Sequence, residues 1–296
     1  MTELTPTVYL NGNFLPLDKA YVSVLDRGFI FGDGVYEVIP VYGGKLFRLA
    51  QHLKRLELSL AGIRLANPLT VAEWLAMLTE LVKRNTNPAV TDQYIYFQVT
   101  RGVSKRDFAF PKGVLPTVFA MSSPLPEPTP GLAEAGIAAI TLDDIRWQYC
   151  NIKAITLLPA VLMRQQAVDN GAVEAILIRD RQATEGAASN LFIVKDNVIQ
   201  TPPHSPKLLP GITRDLIVEL AAANGIACRE DVLFESDLQT ADEIWLTSST
   251  KEILPVTRLD GYLVKEGIPG PMWKRMTAIF RDYKQSLRAN TSVTAA

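Results

Sequence analysis

The sequence predicts an α+β fold in two domains, and three observations lead there. Stretches of helical period alternate irregularly with strand-like runs. No strict βαβ order emerges, which points to mixed or antiparallel sheet rather than a doubly wound one. The segment SSPLPEPTPG carries proline at 124, 126, 128 and 130, so it is stiff, extended and unsuited to a sheet interior. The 296 residues leave room for two ordinary domains. The expected division is a small N-terminal α/β domain at 1–121, a linker at 122–131 and a larger C-terminal domain at 132–296.

The chain opens with a hairpin. TVYL and FLPL flank Asn11-Gly12-Asn13, and Asn-Gly suits the positive φ angles of a tight turn. Asp26 to Gly34 is dense in glycine, which implies a loop with close backbone approaches or special φ values. VYEVIPVYGG alternates like a strand, with Pro40 marking an edge or a bulge. Residues 48–62 form a helix with Leu49, Leu53, Leu56 and Leu60 on one face, and His52 and Arg55 share a face as well. Thr70 and Glu73 make a capping box for a second helix whose buried stripe is Leu75, Leu78, Leu81 and Val82. YIYFQVT and PTVFAM are strands, joined by a loop that carries Lys105, Arg106 and Asp107.

Beyond the linker, 136–142 reads as a strand. A helix from about 156 ends at the cap pair Asn170-Gly171. AVEAILIRD is a strand, ATEGAAS a loop, and NLFIVKD turns through Asp196-Asn197 into VIQTP. ITRDLIVELAAANG is a helix closed by Gly225. DEIWLTSS, ILPVTRL and YLV are strands, and a last helix begins at Pro271.

Charges nearly cancel, 30 basic against 31 acidic, so no overall field draws the chain to nucleic acid or an anionic membrane. MTELTPTVYL lacks the pattern of a secretory signal, and no apolar run approaches the length of a membrane span. Cys150 and Cys228 form neither a disulfide framework nor a metal pattern. A cytoplasmic protein is expected.

Several fragments suggest chemistry. Lys153 lies in NIKAITLLPA. An amine in apolar surroundings loses solvation of its charged form and becomes a better nucleophile, although most such lysines keep the ammonium in water. Glu185 stands between Thr184 and Gly186, where an ordinary surface turn is the plainer explanation. Gly211-Ile212-Thr213 opens a helix, and backbone N–H groups there suit an anion as readily as Thr213 suits plain capping. Thr247-Ser248-Ser249-Thr250 ends a strand with four hydroxyls, and Arg55 offers a fork for the same anion. An amine, an anion nest and an acid together are what pyridoxal 5′-phosphate requires.

At this point the chain resembles the class IV, fold type IV, pyridoxal-phosphate aminotransferases, and among them most nearly the D-amino-acid transaminases. The carriers are RGFIFGDGVYEV, HLKRL, YFQVTRG, NIKAITLLPAVLMRQQA, EAILIRDRQATEGAASNLFIVKDNVI, LLPGITRDLI and IWLTSSTKEILPV. They run through nearly the whole chain. The resemblance implies a small α/β domain and a larger pseudo-barrel domain with the cofactor at their interface. It implies Lys153 as the Schiff-base lysine and proton shuttle, and Glu185 at the pyridine nitrogen. Arg55, Ile212, Thr213, Ser248 and Ser249 are implied at the phosphate, Leu209 against the ring and Tyr36 beside the substrate. It also implies a homodimer with shared active sites, acting on an amino acid and a 2-oxo acid such as 2-oxoglutarate or pyruvate by ping-pong kinetics.

Relatives of that kind carry an Arg-x-His pair in the loop after YFQVTRG to hold the substrate carboxylate. Here it reads Arg106-Asp107-Phe108, and phenylalanine donates no hydrogen bond. The clamp is looser or is completed by another residue such as Lys105 or Arg27. Branched-chain L-amino-acid and R-amine transamination therefore stay open as alternatives, with an aminodeoxychorismate-type lyase behind them.

Overall fold

A computed structural model describes residues 5–87, 92–126 and 131–289. Much of the proline-rich stretch, including Pro128 and Pro130, lies outside the described residues, as do Met1–Leu4 of the N-terminal segment. By packing, the chain falls into two compact units. The first runs to Pro126 and includes Ile152–Thr156; the second holds Glu127–Asn151 and the residues from Leu157 onward.

The first unit contains β1 (Thr7–Leu10), β2 (Asn13–Pro16), α1 (Arg27–Phe31), β3 (Gly34–Tyr42), β4 (Lys45–Leu46), α2 (Leu49–Gly62), α3 (Val71–Arg84), β5 (Asp92–Thr100) and β6 (Thr117–Pro124). Six strands form one antiparallel sheet in the order β2-β1-β6-β5-β3-β4. Asn11 and Gly12 make the opening turn with φ of 47° and 93°. The α2 leucines Leu53, Leu56 and Leu60 and the α3 residues Trp74, Met77, Leu78 and Leu81 bury against Val35, Ile39, Ile95 and Phe97. Leu75 faces outward instead, because the α3 stripe turns on Trp74 and Met77. The capping box is present in full. Pro40 sits where β3 has only β5 along most of its length, since β4 reaches only Val41 and Tyr42.

Two expectations shift here. The glycine-dense segment is not all loop. Asp26 caps a five-residue helix by accepting from the Gly28 N–H, and Gly32 closes it at φ 66°. Gly28 lies so near Thr100 that a Cβ would fall 2.3 Å from its Cγ2. β6 also runs to Pro124, so Ser122, Ser123 and Pro124 pair with β5 rather than leaving the sheet.

The second unit contains α4 (Leu132–Ala135), β7 (Ile137–Asp143), α5 (Leu158–Asp169), β8 (Glu174–Arg179), β9 (Gln182–Gly186), β10 (Asn190–Lys195) and β11 (Val198–Thr201). It continues with α6 (Ile212–Ala223), β12 (Cys228–Glu230), β13 (Leu233–Phe234), α7 (Glu235–Thr240), β14 (Glu243–Ser248), β15 (Glu252–Leu259), β16 (Tyr262–Leu263) and α8 (Pro271–Ala289). The strand path is β12-β11-β10-β14-β15-β7-β8-β9-β13, and Asn190 of β10 also pairs with Glu185 of β9. That extra pairing closes a ring of strands, so the sheet is barrel-like, as the resemblance implied. Ile176, Leu191, Ile193, Ile244 and Leu246 lie in one of its cores. Most neighbours are antiparallel, but β11 runs parallel to β12, and β7 runs parallel to both β8 and β15. A parallel pair needs a long crossover. From β7 to β8 it passes through α5, and Lys153 lies in the connection before that helix.

ATEGAAS was expected to be a loop, yet Ala183 to Gly186 belong to β9, paired with β8 on one side. A strand of five residues with a glycine and two residues of low strand propensity carries little period-2 signal; closure of the ring makes it a strand. No helix among the described residues is long and apolar enough to cross a membrane.

Candidate active site

In the first unit, β3 places residues alternately on two faces. Val35, Glu37 and Ile39 point into the core; Tyr36 points the other way and is half-buried. Lys153 lies beside it, fixed by its backbone. The Tyr36 N–H donates to the Lys153 carbonyl at 3.0 Å, the Lys153 N–H donates to Ser59 Oγ at 3.1 Å, and Ala154 bridges to Val35. Lys153 Nζ sits 4.2 Å from the centre of the Tyr36 ring, where the ring's negative face attracts an ammonium. The apolar run after Lys153 does not bury it: Leu157 and Leu158 are exposed and the lysine is half-buried. Backbone pinning and Tyr36, rather than a greasy pocket, place the amine. Tyr36 also packs on Tyr96, whose hydroxyl donates to Gln98, and burial pushes the Tyr96 pKa up to about 12.

Arg55 is not the solvent-facing residue that a lone helical arginine usually is. It is buried, and its Nε and Nη2 donate to the two oxygens of Glu37 at 2.8 and 2.7 Å. His52, one turn earlier, brings Nδ1 to 2.7 Å from Glu37 Oε2 and is fully buried. A carboxylate only accepts, so Nδ1 carries the proton. Nε2 has no hydrogen-bond partner among the described residues. Burial would raise the Glu37 pKa, but the Arg55 charge and the bonds from Arg55 and His52 outweigh it and hold it at about 2. Burial pushes the His52 pKa down despite Glu37, keeping the imidazole neutral. Glu37 was missed in the sequence. Its signal was there: the alternation of VYEVIP puts an acid on the face of Val35 and Ile39, and a buried acid needs cations.

The loop with Arg106 is exposed. Arg106 lies 5.4 Å from the centre of the Phe31 ring and 5.6 Å from that of Phe108, and the two rings pack at 5.4 Å. Arg27 is buried, donating from Nε to Asp33 at 2.8 Å and from Nη1 to the Asp107 carbonyl at 2.5 Å, so it anchors this loop.

In the second unit, Glu185 is buried on β9 and is no surface turn. Its carboxylate accepts from the Leu209 N–H with both oxygens at 3.1 Å, from Asn190 Nδ2 at 3.1 Å and from Arg146 Nη1 at 2.6 Å. Burial pushes its pKa up, while the Arg146 guanidinium and the Leu209 N–H pull the other way. Asn190 Nδ2 also donates to the Leu209 carbonyl, which ties β10 to the segment before α6. Gly211 precedes α6 without a side-chain cap, leaving the first-turn N–H groups of Ile212 and Thr213 to other acceptors. Ile212 and Thr213 are buried. A Cβ at Gly211 would fall 1.8 Å from Asn190 Oδ1, so only glycine lets this helix start approach β10. Thr247 lies opposite Asn190 on β14. Ser248 and Ser249 follow it, half-buried, and Ser248 Oγ accepts from the Lys251 N–H.

The structure thus gathers Lys153, Tyr36 and Arg55 in the first unit with Glu37 and His52. It gathers Glu185, Leu209, Ile212 and Thr213 in the second with Asn190 and Arg146. The chemistry of these residues fits pyridoxal phosphate: a held amine, a buried acid held by donors, and a helix start without a side-chain cap.

Comparison with known proteins agrees. The family profile described as amino-transferase class IV matches residues 34–259. The chain is 40% identical over 284 residues to a D-alanine aminotransferase of Bacillus licheniformis, covering 96% of this chain and 99% of that protein. It is 39% identical over 280 residues to a D-alanine aminotransferase of Staphylococcus haemolyticus, covering 94% of this chain and 98% of that one. Among solved structures, the branched-chain amino acid aminotransferase of Escherichia coli superposes with a TM-score of 0.89 at 29% identity, covering 97% of each chain. The T.th. branched-chain amino acid aminotransferase with pyridoxamine 5′-phosphate superposes with a TM-score of 0.90 at 26% identity, covering 97% of this chain and 96% of that one.

Proposed function

Because the chain belongs to the class IV aminotransferases, we propose that it is a pyridoxal-phosphate enzyme that moves the amino group of a D-amino acid to a 2-oxo acid. The observation that carries the substrate class is likeness over almost the full length to proteins named for D-alanine. Identity to the branched-chain enzymes of similar fold is lower, at 26–29%.

When bound, the cofactor supplies an aldehyde for the amine and a ring that accepts the electron pair left as the substrate's α-proton departs. Lys153 would be the amine that holds the cofactor's aldehyde and, once displaced by the substrate's amine, the base that takes the α-proton and delivers it to the cofactor. Tyr36 would keep the free amine over its ring face. Glu185 would stay ionised and accept a hydrogen bond from the protonated ring nitrogen. Arg55, the Ile212 and Thr213 N–H groups and the Ser248 and Ser249 hydroxyls donate to the phosphate. Leu209 packs on the ring while its N–H holds Glu185. The donor leaves as a 2-oxo acid before the acceptor enters, which makes the kinetics ping-pong.

A second reading, amine or branched-chain L-amino-acid transamination, rests on Phe108, an exposed apolar ring where a donor to the carboxylate would otherwise stand. A half-reaction panel decides. D-Alanine and D-glutamate are expected to bleach the yellow holoenzyme faster than L-leucine or R-phenylethylamine. Arg106→Ala is expected to slow the D-amino acids while sparing the amine, which lacks a carboxylate. Preference for L-leucine would overturn the substrate class, and equal losses on both donors would remove Arg106 from recognition.

We infer further that two copies of the chain work together. Tyr21, Val24 and Phe29 in the first unit and Tyr149, Leu158 and Val161 in the second are large, apolar and exposed, the kind of surface that a second copy would cover. Sedimentation of the holoenzyme should give a dimer; a monomer at assay concentration would reject this.

A further inference from the structure

We propose that Arg146 is a positioning residue for the reaction: clamped on Asp144, it fixes the Glu185 carboxylate as an acceptor-only group aimed at the cofactor's ring nitrogen. The proposal rests on the reading of Glu185 given above and extends it to a residue in the connection that follows β7.

The guanidinium is held on three sides. Nε donates to Asp144 Oδ1 at 2.9 Å, and Nη2 donates to Asp144 Oδ2 at 2.9 Å and to the Lys207 carbonyl at 3.4 Å. That bidentate grip leaves Nη1 directed at Glu185 Oε1, 2.6 Å away. Asp144 is itself immobile. Its side chain is fully buried, it accepts from the Arg146 N–H at 3.0 Å, and Arg179 Nη2 lies 2.8 Å from its Oδ2. Arg179 also donates to the Arg146 and Trp147 carbonyls, so a second cation braces the backbone that carries the first.

The charges explain why such a brace is needed. Two carboxylates, Asp144 and Glu185, face two guanidiniums, Arg146 and Arg179, and the set is neutral. Among the described residues Glu185 is met only by donors: Arg146, Asn190 Nδ2 and the Leu209 N–H. A protonated Glu185 would need an acceptor that this shell does not provide. Without Arg146 the set carries a net negative charge, burial dominates, and Glu185 takes up a proton. A neutral acid supplies no counter-charge to a protonated ring nitrogen, so that protonated form would be less favoured. Lysine would keep the charge but not the fork, and could not grip Asp144 at two points while reaching Glu185.

The test uses the full chain with and without pyridoxal phosphate, in wild type, Arg146→Lys, Arg146→Met and Glu185→Gln. Carbon-13 carboxyl signals of the cofactor-free protein are titrated, and the signal lost in Glu185→Gln identifies Glu185. Removing an opposite charge at this distance moves a carboxylate by about 1–3 pH units. The Glu185 midpoint is therefore expected to rise by about that much in Arg146→Met and by less in Arg146→Lys. Pyridoxal phosphate should bind at least about tenfold more weakly to Arg146→Met, with partial recovery in Arg146→Lys, since 1 pH unit of linkage is a factor of ten. If Arg146→Met fails to fold, the lysine variant alone must show the smaller rise. A Glu185 midpoint unchanged in both arginine variants overturns the proposal while leaving Glu185 at the ring. Unaltered cofactor affinity in Glu185→Gln removes Glu185 from the ring, and the proposal falls with that reading.

Discussion

Lys153→Ala is expected to cut turnover by at least ~10³-fold while leaving the fold in place, because a positioned acid–base group alone contributes about 10²–10⁴-fold and this one is also the nucleophile. The two halves of the expectation come from different atoms. The contacts that seat residue 153 are main-chain: its N–H to Ser59 Oγ and its carbonyl from the Tyr36 N–H. Alanine keeps both. What is lost is Nζ over the Tyr36 ring, a partly solvated contact of about 0.5–1 kcal/mol. Thermal unfolding should therefore change little, while the holoenzyme's visible absorbance reverts to that of free pyridoxal phosphate. Turnover near wild type in the purified variant would show that another residue is the amine.

How far the sequence led differs by element, and the reason is range. Helices α2 and α3 and strands β3 and β5 were legible because each writes its own period over nine to fourteen residues. β9 was not: five residues with a terminal glycine become a strand only because β8 and β10 flank them. The same divide runs through the site. Lys153, Glu185 and Arg55 stood out through the resemblance. Glu37 and Arg146 did not, since their roles depend on partners 18 and 39 residues away along the chain. Around Lys153 the local signal was weak. Its apolar neighbours suggested burial, yet Leu157 and Leu158 point outward at the start of α5. Local composition marked an exposed apolar face there and not a pocket.

The largest effect on stability is expected from Arg55→Ala. Glu37 is fully buried, and Arg55 supplies its main counter-charge. Breaking a buried ion pair by removing one partner costs about 3–5 kcal/mol, because the remaining charge has neither water nor a cation. The pH dependence fixes the cause. In wild type the folded-state pKa of Glu37, about 2, lies below the ordinary 4.5. Its contribution is fully present above pH 4.5 and is lost as pH falls from there toward 2. In Arg55→Ala burial acts with only His52 opposing it, so the folded-state pKa rises above 4.5. The sign then inverts: the deficit is greatest near neutral pH and shrinks as acid protonates Glu37. Urea unfolding from about pH 7 down to about pH 4.5 should show the two curves converging. Parallel curves would mean that Arg55 stabilises by packing alone. The double variant Arg55→Met, Glu37→Gln separates folding from binding. It removes both charges and keeps an acceptor for His52 Nδ1–H, so most of the stability should return. Pyridoxal phosphate should nevertheless bind as weakly as to Arg55→Ala, because the guanidinium proposed for the phosphate is gone in both. If the double variant recovers cofactor affinity along with stability, Arg55 serves the fold and the phosphate is held by α6 and the serine loop alone.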